Sequence, residues 1–207
     1  MKKEVITEIL NRLEKEYPDA ECALHHQDVF QLIVAVALSA QTTDKSVNQV
    51  TPALFAAYPD AFALAAADPE EVSTYIKRIG MYKTKSKNIV GLAKTLAEKY
   101  DGRVPEDYDK LVELPGVGRK TANVVLSVGF GQQRIAVDTH VFRVANRIGL
   151  AREKDVLKTE MSLMKNLPEQ RWSQAHHSLI FHGRNCCSAR KPDCENCVIG
   201  DLCEKHL

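Results

Sequence analysis

With 207 residues, 44% of them hydrophobic, the chain can fill a core as one domain or as two small ones. Its 28 basic and 27 acidic side chains leave a formal net charge of +1, which excludes coating of nucleic acid by bulk charge, so contact with a polyanion has to come from local clusters. The longest uncharged run, Val29 to Thr43, falls short of the roughly 20 apolar residues of a membrane-spanning helix, which excludes that class.

Met1-Lys2-Lys3 is followed at once by Glu4, without the apolar stretch of a secretory leader, so an intracellular address and reduced thiols are expected. Residues 3–16 put Val5, Ile6, Ile9, Leu10 and Leu13 on one face, predicting an amphipathic helix that stops before Pro18. Asp28 caps a helix predicted over Phe30 to Ala40, whose Leu32, Ile33, Val34, Val36 and Leu38 leave no polar face; such a helix belongs at a domain centre. Its exit, Leu38 to Asp44, is polar and therefore exposed, and helical spacing resumes at Val47, Val50, Leu54 and Phe55. Asp68-Pro69-Glu70-Glu71 reads as N-cap, N1 proline and acidic first turn of a helix through Val72, Tyr75, Ile76 and Ile79, which Gly80 stops. Tyr82 to Tyr100 supplies a long amphipathic helix closed by Asp101-Gly102, and a short helix follows over Tyr108 to Glu113.

Next comes Leu114-Pro115-Gly116-Val117-Gly118-Arg119-Lys120-Thr121-Ala122-Asn123-Val124-Val125-Leu126, a glycine turn feeding directly into a helix. The free N–H groups of that helix start suit a phosphate, and Lys120 sits in its first turn. Val141, Val144 and Ile148 mark a helix opened near Asp138; two more, about Val156 to Asn166 and Glu169 to His182, precede a cysteine-rich tail. No period-2 alternation occurs, so the predicted class is all-α.

From Gly116 to Arg147 the charged residues are Arg119, Lys120, Arg134, Arg143 and Arg147 against Asp138, an excess that fits either a phosphate footprint or a solvated helix face. In the tail, Cys187-x6-Cys194-x2-Cys197-x5-Cys203 crowds four thiols into one irregular segment, which in a reducing compartment calls for a cation. A single tight pair with wider gaps suits a cubane iron-sulfur cluster better than two zinc-binding pairs, and the spacing alone leaves zinc open. Cys186, beside Cys187, competes as a ligand.

The hairpin L-P-G-V-G-R-K-T-A-N-V-V and the cysteine spacing together resemble the endonuclease III family of DNA glycosylase/lyases, and the resemblance covers nearly the whole chain. It implies a helix-hairpin-helix DNA glycosylase fold with a helical domain over 22–132, and a second domain of 1–21 plus 133–207 carrying a [4Fe-4S] cluster on Cys187, Cys194, Cys197 and Cys203. It also implies a bacterial-type, cytoplasmic, monomeric enzyme that excises oxidised pyrimidines from double-stranded DNA and cleaves at abasic sites.

Such chemistry needs an amine to attack C1′ of the deoxyribose, expel the base and hold the sugar as a Schiff base. Lys120 resembles that nucleophile; the helix start, burial and the neighbouring Arg119 would each disfavour its protonated form. Asp138 resembles the family's catalytic aspartate, there to stabilise positive charge on the sugar and move protons, and it also reads as an ordinary N-cap. Excision requires the nucleotide to leave the stack and its place to be filled. Gln41 resembles the family residue that enters the gap, and Met81, at a turn where the family often has Leu, is an apolar wedge. Gly116 and Gly118 would present backbone N–H groups to phosphates, with Arg119 beside them, while His140 either lines the pocket or has a surface or capping role.

Three other readings compete. An adenine glycosylase of the same superfamily usually lacks the hairpin lysine and carries an extra C-terminal domain, whereas Lys120 is present and little chain follows Cys203. A non-catalytic DNA-binding module and a cluster-bearing electron carrier complete the set.

Overall fold

The computed structural model describes residues 1–206, and every regular element among them is helical. The chain folds as two compact units, one of Ala23–Gly131 and one joining Met1–Cys22 to the chain from Gln132 onward.

The central unit is built around α2 (Val29–Leu38), in which Phe30 and every residue from Leu32 to Leu38 is buried. Asp28 caps it by accepting from the Gln31 N–H at 2.8 Å. The helix ends at Leu38, two residues before the expected Ala40, because the chain turns out of the helix there: Ser39 Oγ donates to the Val36 carbonyl at 2.7 Å and Gln41 adopts a left-handed φ of 53°. Around α2 pack α3 (Asp44–Ala57), α6 (Tyr82–Tyr100) and α8 (Arg119–Val124), the last continuing as a π-helical turn over Val125–Gly129. A Cβ on Gly129 would lie 3.0 Å from Val29 Cγ1, so this close approach needs glycine. Two short helices, α4 (Ala61–Ala65) and α5 (Pro69–Tyr75), lie on α6. The five-residue α4, capped by Asp60, is too short to reveal a period and was not legible in the sequence. α7 (Tyr108–Val112) then pairs with α8 across the hairpin.

In the other unit, α1 (Lys3–Glu16) buries Ile6, Ile9, Leu10 and Leu13 in a core shared with α9 (Thr139–Ile148), α10 (Val156–Asn166) and α11 (Trp172–Asn185). Ile199 of the tail joins the same core. Gly183 allows α11 to cross α9, since a Cβ there would meet Val144 Cγ2 at 3.0 Å. Arg12 of α1 donates to Asp201 Oδ1 at 2.7 Å and to the Val198 carbonyl at 3.2 Å, tying the first helix to the tail.

Candidate functional site

In the central unit the hairpin between α7 and α8 is closed by Val117 N–H donating to the Leu114 carbonyl at 3.1 Å. Gly116 has a φ of +76°, and its side-chain position is filled by Asn88 Cβ, 3.0 Å from where a Cβ would stand. Gly118 is extended, serves as N-cap of α8 and faces open space. Among the described residues the N–H groups of both glycines lack a hydrogen-bond partner, leaving them available to an anion. Lys120, in the first turn of α8, is exposed and its ammonium bonds to nothing among the described residues. The burial anticipated for it is therefore absent in the chain by itself. Arg119 stacks over the Tyr108 ring at 5.5 Å and donates to its hydroxyl at 3.2 Å, which orients the guanidinium while leaving the residue exposed.

Two further turns of this unit present exposed tips. Gln41 and Met81 both take left-handed backbone conformations, φ 53° and 57°, and Met81 is 58% exposed. For residues with a Cβ this conformation costs about 1–2 kcal/mol each, and such strain concentrates where a chain binds or reacts.

In the other unit Asp138 caps α9, its Oδ1 accepting from the Val141 N–H at 2.8 Å. The capping role is thus realised, and the second carboxylate oxygen makes no hydrogen bond among the described residues. His140 Nδ1 accepts from Arg143 Nη2 at 3.2 Å, which leaves Nε2 to carry the ring proton. Arg143 also donates to the Gly183 carbonyl at 2.8 Å and the Cys187 carbonyl at 3.1 Å. Arg147, one turn on, donates to the Ser188 and Ala189 carbonyls at 2.7 and 2.9 Å and approaches Cys187 Sγ at 3.7 Å. These two arginines hold the cysteine loop, so the basic excess counted along the sequence is not one phosphate footprint. Their i, i+4 spacing on α9 was the only sign of a shared task.

Cys186, Cys187, Cys194, Cys197 and Cys203 line one pocket with Arg147. A mononuclear zinc site with Zn–S bonds of about 2.3 Å brings its sulfurs to roughly 4 Å of one another. Among the described residues, no three of Cys187, Cys194, Cys197 and Cys203 have sulfurs mutually within 4.8 Å. Four thiols around one pocket, none of their trios meeting that limit, suit a cluster in which each thiolate takes a different iron. The trio that does meet that limit is His182, Cys186 and Cys197, a meeting hidden in the sequence because α11 and the tail are brought together only by folding. His182 Nδ1 lies 3.2 Å from the Tyr17 hydroxyl and its Nε2 3.7 Å from Cys197 Sγ. Backbone N–H of Lys205 donates to Cys203 Sγ at 3.3 Å, a bond of the kind that stabilises a thiolate.

Comparison with known proteins places these features. The model of the HhH-GPD superfamily of base excision DNA repair proteins matches residues 34–169, and that of the iron-sulfur binding domain of endonuclease III matches residues 187–203. Endonuclease III of Bacillus subtilis is 51% identical over 197 residues, covering 95% of this chain and 90% of that protein. The chain belongs to the endonuclease III family. The Escherichia coli K12 endonuclease III is 48% identical across 95% of this chain and 93% of its own length. A solved structure of a trapped endonuclease III–DNA covalent intermediate superposes with a TM-score of 0.93 at 47% identity, covering 99% of this chain and 97% of that one. A thermostable thymine-DNA glycosylase, at 22% identity and a TM-score of 0.89, shares the fold. The all-α class and the helix-hairpin-helix glycosylase fold expected from the sequence are thereby established, and the tail is an iron-sulfur binding segment of the [4Fe-4S] kind. Among the described residues no helix is long and apolar enough to cross a membrane.

Proposed function

We propose that this chain is a bifunctional DNA glycosylase and abasic-site lyase of base-excision repair, acting as a monomer on duplex DNA that carries oxidised pyrimidines or abasic sites. The observation that carries this reading is the end-to-end likeness, at 47% identity, to a protein captured as a covalent intermediate with DNA. This chain has an exposed, unpartnered lysine on the hairpin that the family match includes.

In this reading the Lys120 amine attacks C1′ of the extruded nucleotide as the bond from C1′ to the base breaks and the base leaves with a proton; the C1′–O4′ bond then opens, O4′ taking the proton that the amine gives up, and the ring-opened sugar remains as a Schiff base on the enzyme. Loss of a proton from C2′ then breaks the bond from C3′ to its phosphate. The Schiff base dissolves by water addition and frees Lys120. Asp138, held by the Val141 N–H through one oxygen, offers the other to the cationic sugar and to the protons that move between steps. Gln41 occupies the emptied place in the stack and Met81 wedges the duplex. Gly116 and Gly118 donate to backbone phosphates near the lesion, with Arg119 adding charge, and His140 presents Nε2–H beside Asp138.

Cys187, Cys194, Cys197 and Cys203 would hold the cluster. When bound, the [4Fe-4S] group supplies a covalent cross-link that fixes the loop Ser188 to Pro192, where Arg190 and Lys191 are exposed for phosphate contact. The test is strand cleavage of an abasic duplex with borohydride trapping. Wild type should be trapped and Lys120→Gln should not; trapping that survives in the variant assigns the chemistry to another amine. Absence of cleavage by wild type would leave a DNA-binding module or an electron carrier.

A further inference from the structure

Lys85 takes no part in the chemistry above, yet among the described residues it is the only buried lysine or arginine, 5% exposed. Among the described residues no carboxylate pairs with it, and burial pushes its ammonium below the usual lysine range. A methionine of similar length would fill the same space without removing a cation from water, so packing does not explain a lysine here. What distinguishes lysine is its head group, which donates to Thr42 Oγ1 at 2.7 Å.

Thr42 follows Gln41. Its hydroxyl accepts from Lys85 and donates to the Ala40 carbonyl at 3.4 Å, while its N–H donates to the Ser39 carbonyl at 3.0 Å, so the lysine's bond runs into the turn that carries Gln41. At the other end, the Lys85 backbone N–H donates to the Met81 carbonyl at 2.9 Å. One residue therefore grips both turns whose exposed tips are left-handed and bear side chains.

We infer that Lys85 is a positioning residue: a buried brace, received by Thr42, that fixes the Gln41 turn to the Met81 turn so that both tips meet damaged duplex already arranged. This inference rests on the DNA-repair reading above. Without the brace the Gln41 turn relaxes among several conformers, and lesion binding has to select the competent one, which lowers affinity by the fraction lost. Undamaged duplex, met chiefly through phosphate contacts, is affected less.

The experiment uses the full-length chain as wild type, Lys85→Met, Thr42→Val, the double variant and Thr42→Ser. Dissociation constants are measured for a duplex with one tetrahydrofuran abasic analogue and for the undamaged duplex. Each single variant should lower the damaged-over-undamaged preference about tenfold, and the double variant should lower it no further, because both changes cut one link. Thr42→Ser keeps the hydroxyl and should retain the preference. In single-turnover cleavage the loss should fall on the half-saturating concentration rather than on the plateau rate. A preference intact in Thr42→Val, or losses that multiply in the double variant, would overturn the brace. If Lys85→Met fails to fold, the two Thr42 variants decide alone. Borohydride trapping of the wild type separates this from the reading beneath it: trapping with unmoved preferences defeats the brace only, and preferences that move without trapping defeat the enzyme assignment only.

Discussion

Replacing the two hairpin glycines one at a time separates what the turn needs for folding from what it offers DNA. Gly116→Ala forces a Cβ into a backbone at φ +76° and within 3.0 Å of Asn88 Cβ, with Asn88 Cγ and Nδ2 at 3.4 Å. The left-handed conformation alone costs about 1–2 kcal/mol, and relieving a contact of that kind in a packed turn raises the sum to about 2–3 kcal/mol. For a chain of this size that lowers the melting temperature by about 5–10 °C. Gly118→Ala starts from φ −98° with no atom within 4 Å of the new Cβ, so only the poorer N-cap remains and its cost should stay at about 0.5–1 kcal/mol. Thermal and urea unfolding, read beside DNA affinity at two salt concentrations, gives the comparison. Gly116→Ala should lose stability and affinity together, whereas Gly118→Ala should melt much closer to wild type and lose chiefly affinity, its new methyl group standing between the free N–H groups and a phosphate. Asn88→Ala should not rescue Gly116→Ala, because the offending atom is the Cβ that alanine keeps. Equal destabilisation by the two alanines, or a Gly116→Ala protein as stable as wild type, would refute this account of the turn.

Asp138→Asn should keep the cap, since an amide oxygen can also accept from Val141, and lose base release and strand cleavage by about 10²–10⁴-fold; Asp138→Ala should in addition lose about 1 kcal/mol of stability. Equal activity of Asp138→Asn and wild type in single-turnover assays would remove the carboxylate from the mechanism. Cys194→Ala should abolish the brown colour and lower the stability of the C-terminal unit, read by iron analysis and limited proteolysis; a colourless, zinc-loaded wild type would disprove the cluster. Arg147→Gln removes the donors to Ser188 and Ala189, so iron should leave faster under chelator while borohydride trapping on a saturating abasic duplex persists. His177, held at a pKa of about 4 by burial, is neutral in the folded chain where the unfolded chain takes up a proton. Its share of stability is therefore present above about pH 6.5 and is lost progressively toward pH 4, so His177→Gln should flatten the acid side of the urea midpoint against pH by up to one proton. An unchanged slope would show that the histidine titrates normally.

Helix starts were legible because the chain writes them in caps: Asp28, Asp68 and Asp138 each bond the N–H expected of an N-cap. Helix ends were less so. The chain leaves α2 at Leu38, before the expected Ala40, and passes through the left-handed Gln41; Ile76 ends α5 before the expected Ile79, and the π-helical turn after Val124 has no side-chain signature. Lys120 and the four cysteines could be singled out from local motifs, since hairpin and ligand spacing are short-range properties. The Lys85–Thr42 bond spans 43 residues and joins a residue type that normally sits at the surface to an unremarkable hydroxyl, so nothing along the chain announces it. Arg143 and Arg147 show the converse error, in which counting charges says nothing of whether they meet solvent or a carbonyl.

The second unit is assembled from the two ends of the chain, with 23–131 inserted between them. During synthesis α1 emerges first, but its Ile9, Leu10 and Leu13 have no partners until α9, α11 and Ile199 have been made. At about 5–20 residues per second the apolar stripe of α1 waits about 10–40 s on the ribosome, while the central unit, complete by Gly131, is free to fold. A nascent chain held once Gly131 has left the ribosome, but before α11 and Ile199 have emerged, should thus carry a protease-resistant middle and an uncovered apolar stripe on α1.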